Sequence, residues 1–397
     1  MKILVNATPL TNLFTGISRY VSCLYQQLEK NRDLKVSYIT NSIYSQEIPR
    51  QAEPAAWVKR TNWIWNLPDF MVTAVRAMYW LQYEARVRKY SSQYKHDIYH
   101  ETGFVPVAAK NIPVIYTLYD LSLIKYSKEH PRERVWFFNF FFKRRIPYAA
   151  HIITISEFMR AEMLRELPLT PEQVTAIPLA PDTSFFPRQH EDIAKMLDYM
   201  NLPKEYILFV GTLEPRKNLS ILIKALALIS SKIPLILVGW HGWGDKAWFQ
   251  DVQSLGLEGR VYRTGYIDEE TLAGLYSGAR IFIYPSFYEG FGLPVLEAMS
   301  CGCPVICSRA ASLPEVAGDA ALFFNPHSPR DLAQTIERLL SSDELRLSFA
   351  EKGLKRARAF SWVNTAAKTL NVFKQVYQES RTNTHKKSTA AGKKHDG

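Results

Sequence analysis

The opening residues MKILVNA form a short apolar run that ends on polar positions, the pattern of a buried strand. A loop leads to Gly16, after which Ile17, Tyr20, Val21, Leu24 and Leu28 recur at helical spacing. Further apolar runs at 35–39, 97–99, 114–118 and 152–155 alternate with helix-like or turn-rich segments. That alternation predicts a parallel sheet covered by helices.

The second half repeats the pattern more cleanly. YILFVG, LILVG, VYRTG, IFIYPS, PVICS and ALFFN read as strands, with helical patterns between them. Asn218 is expected to cap a helix whose apolar face is Leu219, Leu222, Ile223 and Leu226. Pro294 suits the first turn of another helix, and Gly302 suits its end. The proline-rich, polar segment 178–190 and the charged stretch after it place a boundary near 190–203. The sequence therefore predicts an α/β protein with two Rossmann-like, doubly wound domains, 1–195 and 203–360, facing an interdomain cleft. A helix at 361–380 is expected to cross both, and 381–397 to be a disordered basic tail.

Length agrees with two domains: 397 residues exceed one ordinary core. With 47% hydrophobic and 22% charged residues, the composition excludes wholesale disorder and a fibrous chain. No run approaches the ~20 apolar residues that span a bilayer, and the first residues lack a signal-peptide core. Four cysteines with neither zinc-site nor disulfide spacing read as buried thiols of a cytoplasmic protein. The formal charge of +11 is unevenly placed. Residues 125–145 hold seven basic and two acidic groups interleaved with Trp136 and five phenylalanines, and much of the remaining excess lies beyond 350. Such a strip suits an anionic membrane surface, a phosphate-bearing ligand or nucleic acid, and charge alone does not choose.

Ligands of open parallel sheets bind beyond the carboxyl ends of the strands. Two loops there carry chemistry. GTLEPRKN, beginning at Gly211, sets Arg216 and Lys217 directly before a helix, an arrangement that attracts an anion. SFYEGFGLPVLEA carries Glu289 and, eight residues on, Glu297. Gly290 and Gly292 let the backbone approach a ligand, and Glu297 lies about one helical turn in, at the same end. One carboxylate can hold a sugar hydroxyl, the other a ribose, and the amides between them a phosphate.

These motifs, together with GYIDEETLAGLYSGA, resemble the retaining family 4 glycosyltransferases of GT-B fold over residues ~205–360. TNLFTGISRY, YTLYDLS and ITISEFMR extend the resemblance more weakly into the first half. The resemblance implies a nucleotide-sugar cleft with no metal or other cofactor. It gives Arg216 and Lys217 to the donor diphosphate, Glu289 to the donor sugar and Glu297 to the ribose, the first three as catalytic residues. Gly290, Phe291, Gly292 and Leu293 match the stretch whose amides meet sugar and phosphate, alongside Gly211. Gly16 matches the glycine that closes on the diphosphate from the opposite domain, and Gly265, Tyr266 and Ile267 match the loop near the base. Where many members carry His-Asp, this chain has Tyr119-Asp120, so an imidazolium is lacking there; these two and His100 are candidate sugar or acceptor contacts.

The expected reaction moves a hexose, best mannose from GDP-mannose, to a saccharide or lipid-linked saccharide with retention. The acceptor would belong to a cell-surface polysaccharide pathway such as lipopolysaccharide. The chain would be cytoplasmic or peripheral at the inner face of the membrane. A UDP-sugar donor is the first alternative, and a non-catalytic nucleic-acid-binding protein the second. The second lacks any recognition module, so no nucleic-acid partner is expected. A dinucleotide oxidoreductase is disfavoured because NATPLTNLFTG stands where G-x-G-x-x-G would follow the first strand.

Overall fold

A computed structural model describes residues 1–11, 16–41, 43–49, 68–109, 111–240 and 247–392, with side chains through residue 382. The first sheet contains β1 (Lys2–Asn6), β2 (Lys35–Ile39), β3 (Tyr44–Ser45), β4 (Ile98–Glu101), β5 (Val114–Leu118), β6 (Ala149–Thr154) and β7 (Val174–Ala176). Their order is β3-β2-β1-β4-β5-β6-β7, parallel except for β3. The second sheet contains β8 (Ile207–Val210), β9 (Leu235–Val238), β10 (Val261–Gly265), β11 (Ile281–Tyr284), β12 (Val305–Ser308) and β13 (Ala321–Phe324). It is parallel throughout, in the order β10-β9-β8-β11-β12-β13.

In each sheet the strand order reverses at one place, β1/β4 in the first and β8/β11 in the second. A crevice opens beyond the strand ends at such a switch point. β8, β9 and β11 are buried along their whole length because helices cover both faces, which is why they read as unbroken apolar runs.

Three local expectations change. Asn218 does not cap with its side chain: it sits in the left-handed region (φ 56°), and its amide donates to the carbonyls of Pro285 (3.2 Å) and Pro326 (2.9 Å). It therefore ties the cation loop to β11. The boundary segment contains a helix, His190–Tyr199, whose Ile193 and Met196 pack under Gly278 and Gly274 of the Glu269–Gly278 helix. The second unit thus begins before residue 195.

The last helix, Trp362–Gly392, continues through much of the expected disordered tail, while 393–397 lie outside the described residues. Arg, Lys and Ala in 381–392 are good helix formers, and a helix nucleated by packed turns extends at one hydrogen bond per residue. Its first turns return to the amino-terminal unit. Thr365 donates to the Pro178 carbonyl (2.8 Å), and Phe373 meets the ring of His100. Among the described residues no helix is long and apolar enough to cross a membrane.

Candidate donor-binding cleft

After β8 the chain makes a tight turn, Pro215–Lys217, which brings Arg216 and Lys217 beneath the loop that follows β11. Lys217 is buried, its Nζ 2.6 Å from Glu289 Oε1 and 2.8 Å from the hydroxyl of Tyr284. Arg216 donates to the other oxygen of Glu289 (3.1 Å), to the Tyr288 carbonyl (2.5 Å) and to Glu214 (2.6 Å). The three residues predicted as catalytic thus form one cluster, with Glu289 between two cations.

Burial would raise the Glu289 carboxyl, but Lys217 and Arg216 hold it down at about 2. It is therefore ionised at any working pH. Burial lowers Lys217, with Glu289 opposing the shift. Burial acts against Arg216 as well, yet the carboxylates of Glu289, Glu214 and Asp120 raise it well above its ordinary value. With two cations balanced by two carboxylates, an incoming diphosphate must compete with Glu289 and Glu214 for them.

Glu297 stands in the Leu293–Ser300 helix, with Pro294 in its first turn as the sequence predicts. It is buried, accepts from Tyr276 (3.2 Å) and is bonded by a guanidinium nitrogen of Arg19. Arg19 comes from the other domain, in the Gly16–Leu28 helix, and also holds Glu269 at 2.6 Å. Burial pushes the Glu297 carboxyl up, against the pull of Arg19. The candidate ribose carboxylate therefore carries an interdomain ion pair. Glu297 and Glu269 together keep Arg19 charged despite its burial.

Between the carboxylates, the backbone N–H groups of Gly290 to Leu293 have no hydrogen-bond acceptor among the described residues. Together with the helix start they make a donor-rich turn. The Phe291 ring is in the core against Phe360, so that residue offers a ligand its backbone. Gly16 faces the turn from across the cleft: a Cβ on it would lie 3.9 Å from Leu293 Cδ1. Residues 12–15 of its loop lie outside the described residues.

Gly211 donates to the Val238 carbonyl and Gly239 to the Gly265 carbonyl, both at 2.9 Å, so the ends of β8, β9 and β10 form one floor. Beside it Tyr266 is exposed and Ile267 half-buried.

Two acceptor-side expectations need correction. His100 is fully buried: Nδ1 is 2.5 Å from the Tyr25 hydroxyl and Nε2 2.8 Å from that of Thr117. Burial lowers it to about 3, so it stays neutral and belongs to the core. The Tyr119 hydroxyl is committed to the Thr102 carbonyl (3.1 Å), and it is the Tyr119 backbone that meets the Gly290 turn. Asp120 accepts from the Ser122 amide (2.8 Å), leaving its charge toward Arg216.

Sequence reasoning missed the residues that join the domains, Arg19, Glu269, Ser156 and Tyr288, and it missed Glu214, the second carboxylate on Arg216. Ser156 donates to the Gly290 carbonyl (2.7 Å). Tyr288 inserts among amino-terminal core residues, where its hydroxyl accepts from the Leu121 amide (3.1 Å) and donates to Glu162. Arg19 left one sequence signal, a charge beside Tyr20 on the helix's buried side. The others left none.

Two Rossmann-like sheets facing a crevice lined with cations, carboxylates and, among the described residues, unpaired amides define a two-domain protein of the class that can take a phosphate-bearing ligand between its domains. Comparison with known proteins narrows this. The model for "Glycosyl transferases group 1" matches residues 199–356, and that for "Glycosyltransferase Family 4" matches 14–185. The chain is 33% identical over 386 residues to O-antigen chain mannosyltransferase B of Escherichia coli, covering 94% of this chain and 100% of that one. An MMP alpha-(1->4)-mannosyltransferase of Mycolicibacterium hassiacum is 27% identical over 304 residues, 70% of this chain and 71% of that one.

Among solved structures, sucrose-phosphate synthase of Thermosynechococcus elongatus superposes with a TM-score of 0.72 at 22% identity, over 96% of this chain and 100% of that one. Anabaena HepE in complex with UDP-glucose gives 0.71 at 19% identity, over 94% and 100%. The chain belongs to the family 4, group 1 glycosyltransferases and has their GT-B fold.

Proposed function

We propose that this glycosyltransferase moves mannose from GDP-mannose to a saccharide or lipid-linked saccharide, retaining the anomeric configuration. The observation that carries the reading is the single turn on which Glu289, paired with Lys217 and Arg216, is followed eight residues later by Glu297, with unpaired amides between them. As the sugar leaves, negative charge grows on the diphosphate. Lys217, Arg216 and the amides of Gly290 to Leu293 stabilise it there. Glu289, an ionised carboxylate gripped by two cations, is suited to holding sugar hydroxyls and poorly suited to nucleophilic attack. Front-face transfer without a covalent glycosyl-enzyme follows from that assignment.

Lys217, Arg216 and the amides of Gly290 to Leu293 are the groups this reading assigns to the diphosphate charge, and the reaction is expected to run without a metal. Mannose is supported by the O-antigen relative that spans the same length, and an O-antigen-like polysaccharide is the corresponding product. The acceptor is presented at an anionic membrane surface, toward which Trp136 and Phe140 stand 51% and 53% exposed beside Arg132, Lys143 and Arg144. Nucleic acid has no place in this reading, because Lys125 is paired with Glu162 and Arg145 with Glu84, which breaks the basic strip.

A screen of GDP- and UDP-sugars, scored by released nucleoside diphosphate with lipid-linked saccharides as acceptors, tests the proposal. GDP release from GDP-mannose, unchanged in rate by EDTA, is expected. Turnover with UDP-sugars alone would overturn the donor, loss of activity in EDTA the metal-free reaction, and no turnover with any donor the whole proposal.

A further inference from the structure

Away from the cleft, the amino-terminal domain contains a cavity of about 480 Å³ lined by Arg88, Ser92, Ala108, Asn111, Arg145 and Tyr148. Its walls lie where strands begin. Ser92 is in the last turn of the Asp69–Gln93 helix that precedes β4, Asn111 leads into β5, and Tyr148 comes directly before β6. Parallel strands run from that edge to the cleft edge, so cavity and cleft occupy opposite ends of the sheet.

The wall is rich in hydrogen-bond donors. Glu84, buried and outside the lining, accepts from Arg88 and lies 3.2 Å from Arg145 Nε. Arg88 Nε donates to the Ala108 carbonyl (3.1 Å), and the Arg145 guanidinium lies over the Trp80 ring. Both guanidinium groups are therefore fixed in place. Among the described residues, Arg88 Nη1 and both Nη atoms of Arg145 meet no protein acceptor.

Asn111 donates to the hydroxyls of Ser91 (2.7 Å) and Ser92 (2.9 Å), which leaves Ser92 its own proton to give. Tyr148 adds an exposed phenol. Among the described residues no carboxylate lines the cavity. One arginine would neutralise Glu84; the second is positive charge in excess. Arg88 is also half exposed, where an ion pair adds little stability, so a purely structural role accounts poorly for the pair.

We propose that this cavity binds a phosphate monoester or diester. Arg88 and Arg145 grip its oxygens in the fork geometry that guanidinium groups favour, and the Ser92 and Tyr148 hydroxyls complete the contacts. Nothing in this site depends on the chemistry of the cleft.

Two probes separate the sources of such a group: glycerol 3-phosphate by titration calorimetry, and phosphatidylcholine vesicles with or without phosphatidylglycerol by co-sedimentation. The whole chain is used. Ser92→Leu removes a hydroxyl donor and puts an apolar branch into the cavity while keeping both Glu84 pairs, and Arg145→Gln removes one cation and leaves Arg88 on Glu84. At least one probe should bind the wild type, and each variant should weaken that binding at least tenfold without changing nucleoside diphosphate affinity. Dependence on the anionic vesicle identifies a lipid headgroup, and dependence on glycerol 3-phosphate a soluble phosphate. If neither probe binds the wild type, or Ser92→Leu binds as the wild type does, the site is overturned.

Discussion

Lys217→Ala is expected to lower kcat about 10²–10³-fold, the usual cost of removing one preorganised charge from a developing anion in a water-excluded site. Lys217 is buried, with Nζ 2.6 Å from Glu289 and 2.8 Å from Tyr284, so its position is set before any donor arrives. The fold should survive because Glu289 keeps Arg216 as a partner. The converse change, Glu289→Ala, leaves the buried Lys217 without a carboxylate and Arg216 with Glu214 alone. Breaking a buried pair in that way costs about 3–5 kcal/mol, so Lys217→Ala is the cleaner test of chemistry. Steady-state rates at saturating donor, with circular dichroism as the control for folding, decide it. A folded variant that turns over within a few fold of wild type contradicts the role given to Lys217.

Gly290→Ala should be nearly as damaging, for a steric reason. A Cβ at residue 290 would overlap the carbonyl oxygen of Tyr119 and press on Asp120, both from the other domain. The overlap involves backbone, which cannot rotate away as a side chain can. Relief requires the domains to part or the turn to shift, which breaks the Ser156 bond to the Gly290 carbonyl and draws Tyr288 out of its amino-terminal socket. A displacement of about 1 Å costs on the order of 10²-fold in rate. We expect kcat/KM to fall by that amount while nucleoside diphosphate affinity changes much less, because Lys217 and Glu297 keep their places in one domain. Kinetics and calorimetry on the same variant check both halves. Unaltered kcat/KM would show that the contact with Tyr119 does not position the turn.

Much of this architecture was legible because its signals are local. β8, β9 and β11 read as continuous apolar runs since both faces are covered. β3 and β7, two and three residues long, are too short to leave a pattern. The Glu289 to Glu297 turn was legible for the same reason: one short segment supplies both carboxylates, the glycines and the helix-opening proline.

What escaped depends on packing between distant segments. The Arg19 bond to Glu297 joins residues 278 apart, and nothing near either of them announces the other. His100 misled because it stands near a strand's carboxyl end, where ligands bind. Its ring points instead into the layer shared with Tyr25 and Phe373, and Phe373 arrives from the last helix. A sequence likewise does not reveal that Lys125 pairs with Glu162 or that Arg145 lies beside Glu84.

A crystal structure with bound GDP tests the central claim most directly. The account predicts its diphosphate on Lys217, Arg216 and the amides of Gly290 to Leu293. Its ribose hydroxyls should lie on Glu297, with Arg19 moved off that carboxylate. A nucleotide bound elsewhere, with the Arg19 to Glu297 pair intact and Lys217 still on Glu289, would contradict it.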